Sequence, residues 1–162
     1  MVNKIKYLKE IDLYFLKNGN VLPEMLEFLY GCLNSNNKGI VKGALVILTG
    51  MKKEVILEII NRYPSLNRMS QDMVCIMLMA LDFVEIYSFF LDLLKDESDE
   101  QRGKLICLCL SKTEYLILPL IIERLNTRDK KYLDQLKWIV EEMGFEKSAS
   151  FLALFPQIPN EN

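Results

Sequence analysis

The sequence predicts an all-α protein, a right-handed α-α solenoid of about four helix pairs with a capping helix at each end. The first observation is a repeat: Leu33, Tyr63, Leu94 and Leu125 each close an apolar helix, at intervals of 30, 31 and 31 residues. A short polar turn and a second apolar helix follow each of them. The second observation is the absence of the alternating pattern typical of β-strands. Helix pairs repeated at this period bury their apolar faces only against neighbouring pairs.

The predicted elements follow in chain order. Residues 2–16 form an opening helix that Gly19 ends and that caps the array. Pro23 suits the first turn of the next helix, Gly50 stops its partner, and Pro64 prevents the following helix from continuing. The four predicted pairs are residues 23–33 with 39–49, 53–63 with 71–82, 84–95 with 99–110, and 114–125 with 128–143.

The later repeats carry their own local signals. Ser98 and Gln101 have the spacing of a capping box at the start of a helix. Pro119 falls inside a predicted helix and should kink it, and Gly144 should end the last helix of the repeats. We therefore expect one domain and a short tail: residues 1–18 as N-terminal cap, 22–144 as repeats and 145–155 as C-terminal cap, followed by a flexible tail at 156–162.

Three segments carry a resemblance to HEAT-type helical repeats. The stretch VKGALVILTG (41–50) is similar to the second-helix pattern of that family, LPLIIERL (118–125) resembles its first-helix pattern, and LKDESDEQR (94–102) resembles its acidic turn leading to a base. The resemblance extends over residues 22–144. It implies the solenoid fold, and it implies binding of proteins or nucleic acids more often than one defined activity.

Composition and charge narrow the functional classes. With 162 residues and 51% hydrophobic content, the chain is long enough for one domain with a real core. Its 20 basic and 22 acidic residues give a net charge of -2, so the total charge encodes no general attraction to nucleic acid. The four cysteines lie in apolar helical runs, which indicates reduced core thiols, and no apolar segment is long enough to span a membrane. A cytoplasmic, soluble protein is the expectation.

The sequence offers no recognisable catalytic site. It contains no histidine, which removes the ordinary general base, the common nucleophile pairs and a frequent metal ligand. Cys107 and Cys109 are two residues apart, so on a helix they point about 200° from each other and cannot share one ion. The acidic residues around Asp99 are interpreted as a solvated capping segment, although catalysis by carboxylates alone stays an alternative. We expect no enzyme activity, no cofactor and no metal.

Two groups of residues are candidates for contact with a partner. The lysines near repeat one have three interpretations: ordinary solubilising residues, a binding patch for an acidic partner, or a track that binds a phosphate backbone. Lys131 aligns with the basic position of the HEAT pattern in the fourth repeat. Trp138 lies off the apolar stripe of its helix, so it is either covered by residues 145–155 or exposed as an anchor for a partner. The candidates are Lys38, Lys42, Lys52, Lys53, Lys131 and Trp138.

These observations together favour a non-catalytic module that binds another protein by shape and charge. An inhibitor, an adaptor or an immunity-type protein with one dedicated partner would have this size and this lack of catalytic residues. The alternative is a nucleic-acid-binding HEAT-like repeat protein or a DNA glycosylase-like enzyme, and a third interpretation is a fragment that scaffolds a larger assembly. Nucleic acid is disfavoured because such a protein needs a continuous positive groove.

Overall fold

The computed structural model describes residues 3–113, 115–144 and 148–157, and it confirms the all-α class. Ten α-helices and one short 3₁₀ turn account for the regular structure of these residues, among which there is no β-strand. The chain forms two compact units, Met1–Leu78 and Met79–Asn162. The predicted continuous solenoid and the single domain over residues 1–155 stay predictions.

Unit 1 is arranged around its third helix. The elements are α1 (Lys4–Asn18), α2 (Pro23–Cys32), α3 (Lys38–Thr49), α4 (Lys53–Arg62), a 3₁₀ turn (Tyr63–Ser65) and α5 (Arg68–Leu78). Helix α3 packs against α1, α2, α4 and α5, and it buries its apolar side completely at Val41, Ala44 and Leu45. The Tyr30 hydroxyl on α2 donates to the Val55 carbonyl on α4 at 3.1 Å. The odd-numbered helices α1, α3 and α5 therefore form one row of this unit, with α2 and α4 behind it.

Unit 2 has the same two-row arrangement. Its helices are α6 (Val84–Asp96), α7 (Glu100–Leu110), α8 (Ile117–Ile122), α9 (Lys130–Glu142) and α10 (Ser148–Leu152). Helix α6 packs on α7 and α8, α7 packs on α9, and α10 packs on α9. The Tyr132 hydroxyl on α9 donates to the Leu91 carbonyl on α6 at 2.8 Å, which ties the two rows together.

A single arginine fixes the α6–α8 row of unit 2. The Arg124 guanidinium is only 14% exposed and donates to the Asp92 carboxylate at 2.8 Å and to the Ser88 hydroxyl at 2.7 Å. It also donates to the Leu120 carbonyl at 2.8 Å, near the end of α8. Because a guanidinium carries five donors in a fixed planar geometry, one side chain can hold two helices in a defined register.

The second helix of every pair begins at an Asn or Asp side chain. Asn37 accepts from the amide of Gly39 at 2.9 Å, and Asn67 accepts from that of Ser70 at 3.0 Å. Asp99 and Asp129 do the same for α7 and α9, at 3.0 Å to Gln101 and to Tyr132. Each carboxylate or amide oxygen satisfies a backbone donor that the first turn leaves unpaired. These four caps lie 30, 32 and 30 residues apart.

Two local predictions about helix ends need correction, and a third holds. Asp99, and not Ser98, caps α7, because the Asp99 oxygen accepts from the amides of both Gln101 and Arg102. Helix α8 begins only at Ile117, which places Pro119 in the first turn, where its missing amide donor costs nothing and no kink is needed. Gly19 and Gly144, at φ values of 71° and 69°, end α1 and α9 as expected.

The remaining helix bounds differ by a few residues from the prediction. Helix α1 starts at Lys4 and continues to Asn18, and α5 starts earlier and ends earlier than expected. In the predicted C-terminal cap, α10 covers Ser148–Leu152, while residues 145–147 lie outside the described part of the chain. Most of the predicted tail, residues 158–162, lies outside it too, as does Glu114.

Candidate functional site

A groove of about 810 Å³ runs between α7 and α9 in unit 2. The Lys131 ammonium donates to the Glu97 carbonyl just before α7 at 3.0 Å, and Gln135 lies beside Gly103 one turn further along. The two helices therefore run parallel, with their N-terminal ends side by side. The residues that line the groove are Glu100, Lys104, Cys107, Leu108, Lys130, Lys131, Asp134, Gln135 and Trp138.

The C-terminal end of the groove is apolar. Leu108 on α7 and Trp138 on α9 are 46% and 39% exposed, although both are large apolar side chains, and the buried Cys107 also lines the groove. The two helices approach closely at Gly103, where a β-carbon would lie 3.2 Å from the Gln135 side-chain nitrogen. A half-exposed leucine and tryptophan in one concavity form a surface suited to an apolar partner.

The N-terminal end of the groove is charged. Lys104 and Glu100 form an ion pair at 2.7 Å along α7. The hydrogen bond from Lys104 lowers the pKa of Glu100, and the charges of Lys104 and of Lys131 lower it further. Lys130, Lys131 and Asp134 complete this end from α9. Three lysines and two carboxylates therefore line this end of the groove.

The groove does not have the properties of a nucleophile site. Burial raises the pKa of the Cys107 thiol to about 11, so the thiol is protonated at neutral pH. The thiolate, and not the thiol, is the reactive form of cysteine. Within the described ranges, no three Cys, Asp or Glu side chains converge as a metal-binding group.

The lysines of repeat one are spread along unit 1. Lys38 and Lys42 lie on the first turns of α3, whereas Lys52 and Lys53 lie beyond its other end, and α3 rises about 10 Å from Lys42 to its last residue. All four side chains are exposed. Lys42 lines a second, smaller groove of about 420 Å³ between α1 and α3, together with Lys9 of α1. The structure thus brings Lys9 and Lys42 together and keeps the other lysines apart.

Lys131 and Trp138 are the two predicted candidates that share one site, the groove between α7 and α9. Trp138 had two interpretations, and its exposure fits the one in which it faces outwards. The described part of the C-terminal segment contributes Leu152 and Phe155 to a separate cavity of about 340 Å³, on the side of α9 that carries Leu133 and Lys137. Trp138 lies on the side of α9 that faces α7.

The prediction missed Leu108 as the partner of Trp138. Exposed apolar residues recur on α3, α5, α7 and α9, and each stands nine residues after its helix cap: Val46, Ile76, Leu108 and Trp138. Nine residues correspond to two and a half turns, so these side chains take equivalent positions on their helices. The caps themselves are the sequence signal that would have aligned these four positions, since each exposed residue follows its cap by the same nine residues.

Comparisons with protein-family models, with curated proteins and with solved structures returned no match for this chain. The resemblance to HEAT-type repeats therefore stays a prediction that rests on the three sequence segments quoted above. None of the described helices has both the length and the apolar character needed to cross a membrane.

Proposed function

We propose that this protein is a non-catalytic helical-repeat module that binds another protein, as an inhibitor, an adaptor or an immunity-type protein does. The observation that carries the proposal is the groove between α7 and α9, which Leu108 and Trp138 both line with partly exposed side chains. Tryptophan and its apolar neighbours contribute much of the binding energy at protein interfaces, especially when a polar rim surrounds them. A HEAT-like arrangement and a cytoplasmic location belong to this proposal.

The charge pattern favours a protein partner over nucleic acid. A nucleic-acid-binding surface needs several cations along one track, because each phosphate contact adds to affinity by releasing counterions. In the larger groove, Glu100 and Asp134 stand among three lysines, and in the smaller groove Asp12 stands with Lys9 and Lys42. Affinity for random duplex DNA at physiological salt should be negligible, and fluorescence anisotropy with a labelled duplex measures it. Micromolar binding with a steep salt dependence would favour the alternative function.

The proposed function is tested by capture of partners from native cytosol with mass spectrometry. The wild-type protein is compared with Leu108→Asp, which places a charge at the apolar end of the groove. Ile76→Asp is the matched control, since Ile76 is a similarly exposed aliphatic residue at the equivalent position on α5 of unit 1. A partner retained by wild type and by Ile76→Asp, and lost with Leu108→Asp, supports the proposal. Partners that the Leu108 substitution does not affect would contradict it.

A further inference from the structure

The two compact units differ in the sign of their charge. Residues 1–78 contain ten basic and seven acidic side chains, a net charge of +3, whereas residues 79–162 contain ten and fifteen, a net charge of -5. Within unit 1 the excess lies on two neighbouring helices, since α1 and α3 together carry six lysines and two carboxylates, a net charge of +4. A chain with a total charge of -2 therefore presents one strongly basic helix pair.

The charge of these lysines is not neutralised by neighbouring carboxylates. All six are exposed, and in the part of the chain that the structure describes, no ion pair within 4.0 Å includes any of them. The carboxylates of α1 are Glu10 and Asp12, and α3 has none. The lysines are Lys4, Lys6, Lys9 and Lys17 on α1, with Lys38 and Lys42 on α3.

The exposed side of α1 points away from α2. The Tyr7 ring contacts the Phe28 ring of α2, with their centroids 4.7 Å apart. Leu8 lies next to α3, where a β-carbon on Gly43 would be 3.4 Å from a Leu8 methyl group. At 100° per residue, the side of α1 opposite Tyr7 carries Ile5, Lys9, Leu13 and Leu16.

Four aliphatic side chains stand exposed among these lysines. Leu13 and Leu16 are 67% and 73% exposed, so most of each side chain already meets solvent. Ile5 of α1 and Val46 of α3 are each about half exposed where they line the smaller groove. The four aliphatic residues together with Lys6, Lys9, Asp12 and Lys42 are called the α1–α3 face.

The composition of the α1–α3 face fits a lipid surface better than a protein surface. Protein interfaces are enriched in aromatic residues, Met and Arg and depleted in Lys. The exposed side chains of this face are aliphatic residues and lysines with one Asp, and α1 and α3 contain no Arg, Trp or Met. Lysine stems lie along an apolar surface while their ammonium groups reach anionic headgroups. A nucleic-acid backbone would meet the lysines but offers no apolar phase for Leu13 and Leu16.

We propose that the α1–α3 face binds the surface of an anionic lipid bilayer. The exposed leucines of α1 enter the boundary between headgroups and acyl chains, and the surrounding lysines contact the headgroups. Helix α1 then lies in the plane of this boundary, a placement that needs no membrane-spanning helix. The inference goes beyond the proposed function and concerns a different surface, on unit 1 rather than in the groove of unit 2.

Co-sedimentation of the full-length protein with vesicles tests the inference. Vesicles of phosphatidylcholine with about 30% phosphatidylserine are compared with vesicles of phosphatidylcholine alone. Partitioning to the anionic vesicles at about 0.1 M salt should be at least about tenfold stronger, and it should weaken as salt is raised to about 0.5 M. Equal partitioning to both kinds of vesicle, or none to either, would overturn the inference.

Two lysine substitutions test the charge of the face. Lys9→Gln with Lys42→Gln should weaken partitioning to the anionic vesicles about thirtyfold, because each lysine near such a surface contributes about a factor of five. Lys95→Gln with Lys112→Gln is the matched control, since it removes the same charge from two exposed positions of unit 2. Equal losses for the two double variants would show that net charge, and not this face, drives the binding.

Two leucine substitutions separate a lipid surface from an acidic protein. Leu13→Ser with Leu16→Ser should weaken partitioning at least about tenfold, since both side chains lose apolar burial in the bilayer. Val84→Ser with Ile122→Ser is the control, because it replaces two exposed aliphatic residues of unit 2. Binding that depends on the lysines but not on Leu13 and Leu16 would indicate an acidic macromolecule at this face and overturn the lipid assignment.

Tryptophan emission reports directly whether the face enters the bilayer. Trp138 is the single tryptophan of the chain, so Leu16→Trp combined with Trp138→Phe places the only tryptophan on the α1–α3 face. Its emission should shift to shorter wavelength with anionic vesicles, and brominated acyl chains should quench it. Emission that stays unchanged while the protein sediments with the vesicles would show that another surface binds them.

The outcome for the lipid surface can be separated from that of the proposed function. If a native partner depends on Leu108 but the protein does not bind anionic vesicles, the protein-binding function stands and the lipid inference is wrong. If vesicles bind through the α1–α3 face but no native partner depends on Leu108, the lipid inference stands and the proposed function fails. Circular dichroism of each variant shows that its helical content is retained, so that a loss of binding is not a loss of folding.

Discussion

Replacement of Trp138 by alanine distinguishes a groove residue from a core residue by the size of the stability loss. A fully buried tryptophan removes roughly 200 Å² from water, and since Trp138 is 39% exposed, its contacts remove about 120 Å². At about 25 cal/mol per Å² this burial contributes about 3 kcal/mol. Residual structure in the unfolded chain lowers the net loss to about 2 kcal/mol. Solvent fills the open groove, so no cavity adds to it.

Urea unfolding followed by circular dichroism measures this loss, with two controls on either side of the expected value. Ile139→Ala truncates a fully buried neighbour on the same helix and should cost about 4 kcal/mol, because it also leaves a cavity. Leu13→Ala truncates a highly exposed residue of α1 and should cost less than about 0.5 kcal/mol. A Trp138→Ala loss as large as that of Ile139→Ala would mean that the tryptophan is part of the core. A loss as small as that of Leu13→Ala would mean that it makes no contact with the groove wall, and either result would refute this reasoning.

Three further predictions concern the Asp99 helix cap, the buried Arg124 side chain and the pH dependence set by Cys107. Asp99→Ala should lower the free energy of unfolding by about 1 kcal/mol, whereas Ser98→Ala should change it by less than about 0.5 kcal/mol, because Asp99 is the residue that accepts from the first-turn amides. Urea midpoints measure both losses, and equal losses would contradict the cap assignment. Arg124→Met should lower the free energy of unfolding by about 2 to 3 kcal/mol in the same assay. The Arg62 side chain is 36% exposed, so Arg62→Met should lower it by about 1 kcal/mol or less, and the reverse order would show that burial does not set the difference. Burial holds the folded-state pKa of Cys107 at about 11 against an ordinary 9.0, so its stabilisation is present below pH 9 and is lost as the pH rises towards 11. The urea midpoint of wild type should therefore fall more steeply over this range than that of Cys107→Ala, and parallel curves would refute it.

The sequence predicted the helices well because their apolar period is strong, and it predicted their ends less well because ends depend on single hydrogen bonds. Ser98 and Asp99 are neighbours that can both cap a helix, and only the backbone geometry selects Asp99. Pro119 was expected inside a helix, since residues 114–125 are largely apolar. The helix instead starts at Ile117, three residues later than expected, and the proline then needs no distortion.

The candidate site was only half predictable for a different reason. The periodicity of α9 places Trp138 away from the buried stripe of Tyr132, Leu136 and Val140, and the structure agrees. Which helix faces Trp138 is a matter of tertiary packing, so Leu108 could not be found from α9 alone. The lysines of repeat one stay candidates for partner contact, and the rest of helix α3 lies between Lys42 and the pair Lys52 and Lys53.

The helix caps explain why Leu108 and Trp138 meet at one level of the groove. Both residues stand nine positions after an acidic cap, and α7 and α9 run parallel with their caps at the same end. Equal distance from the cap therefore becomes equal height along the pair of helices, at about 1.5 Å per residue. The same rule places Lys104 and Asp134 at one level of the groove, each five positions after its cap and one turn nearer the charged end. The polarity of the groove thus follows from two aligned helix starts, and an insertion of one residue between Asp129 and Trp138 would rotate the tryptophan by about 100° out of the groove.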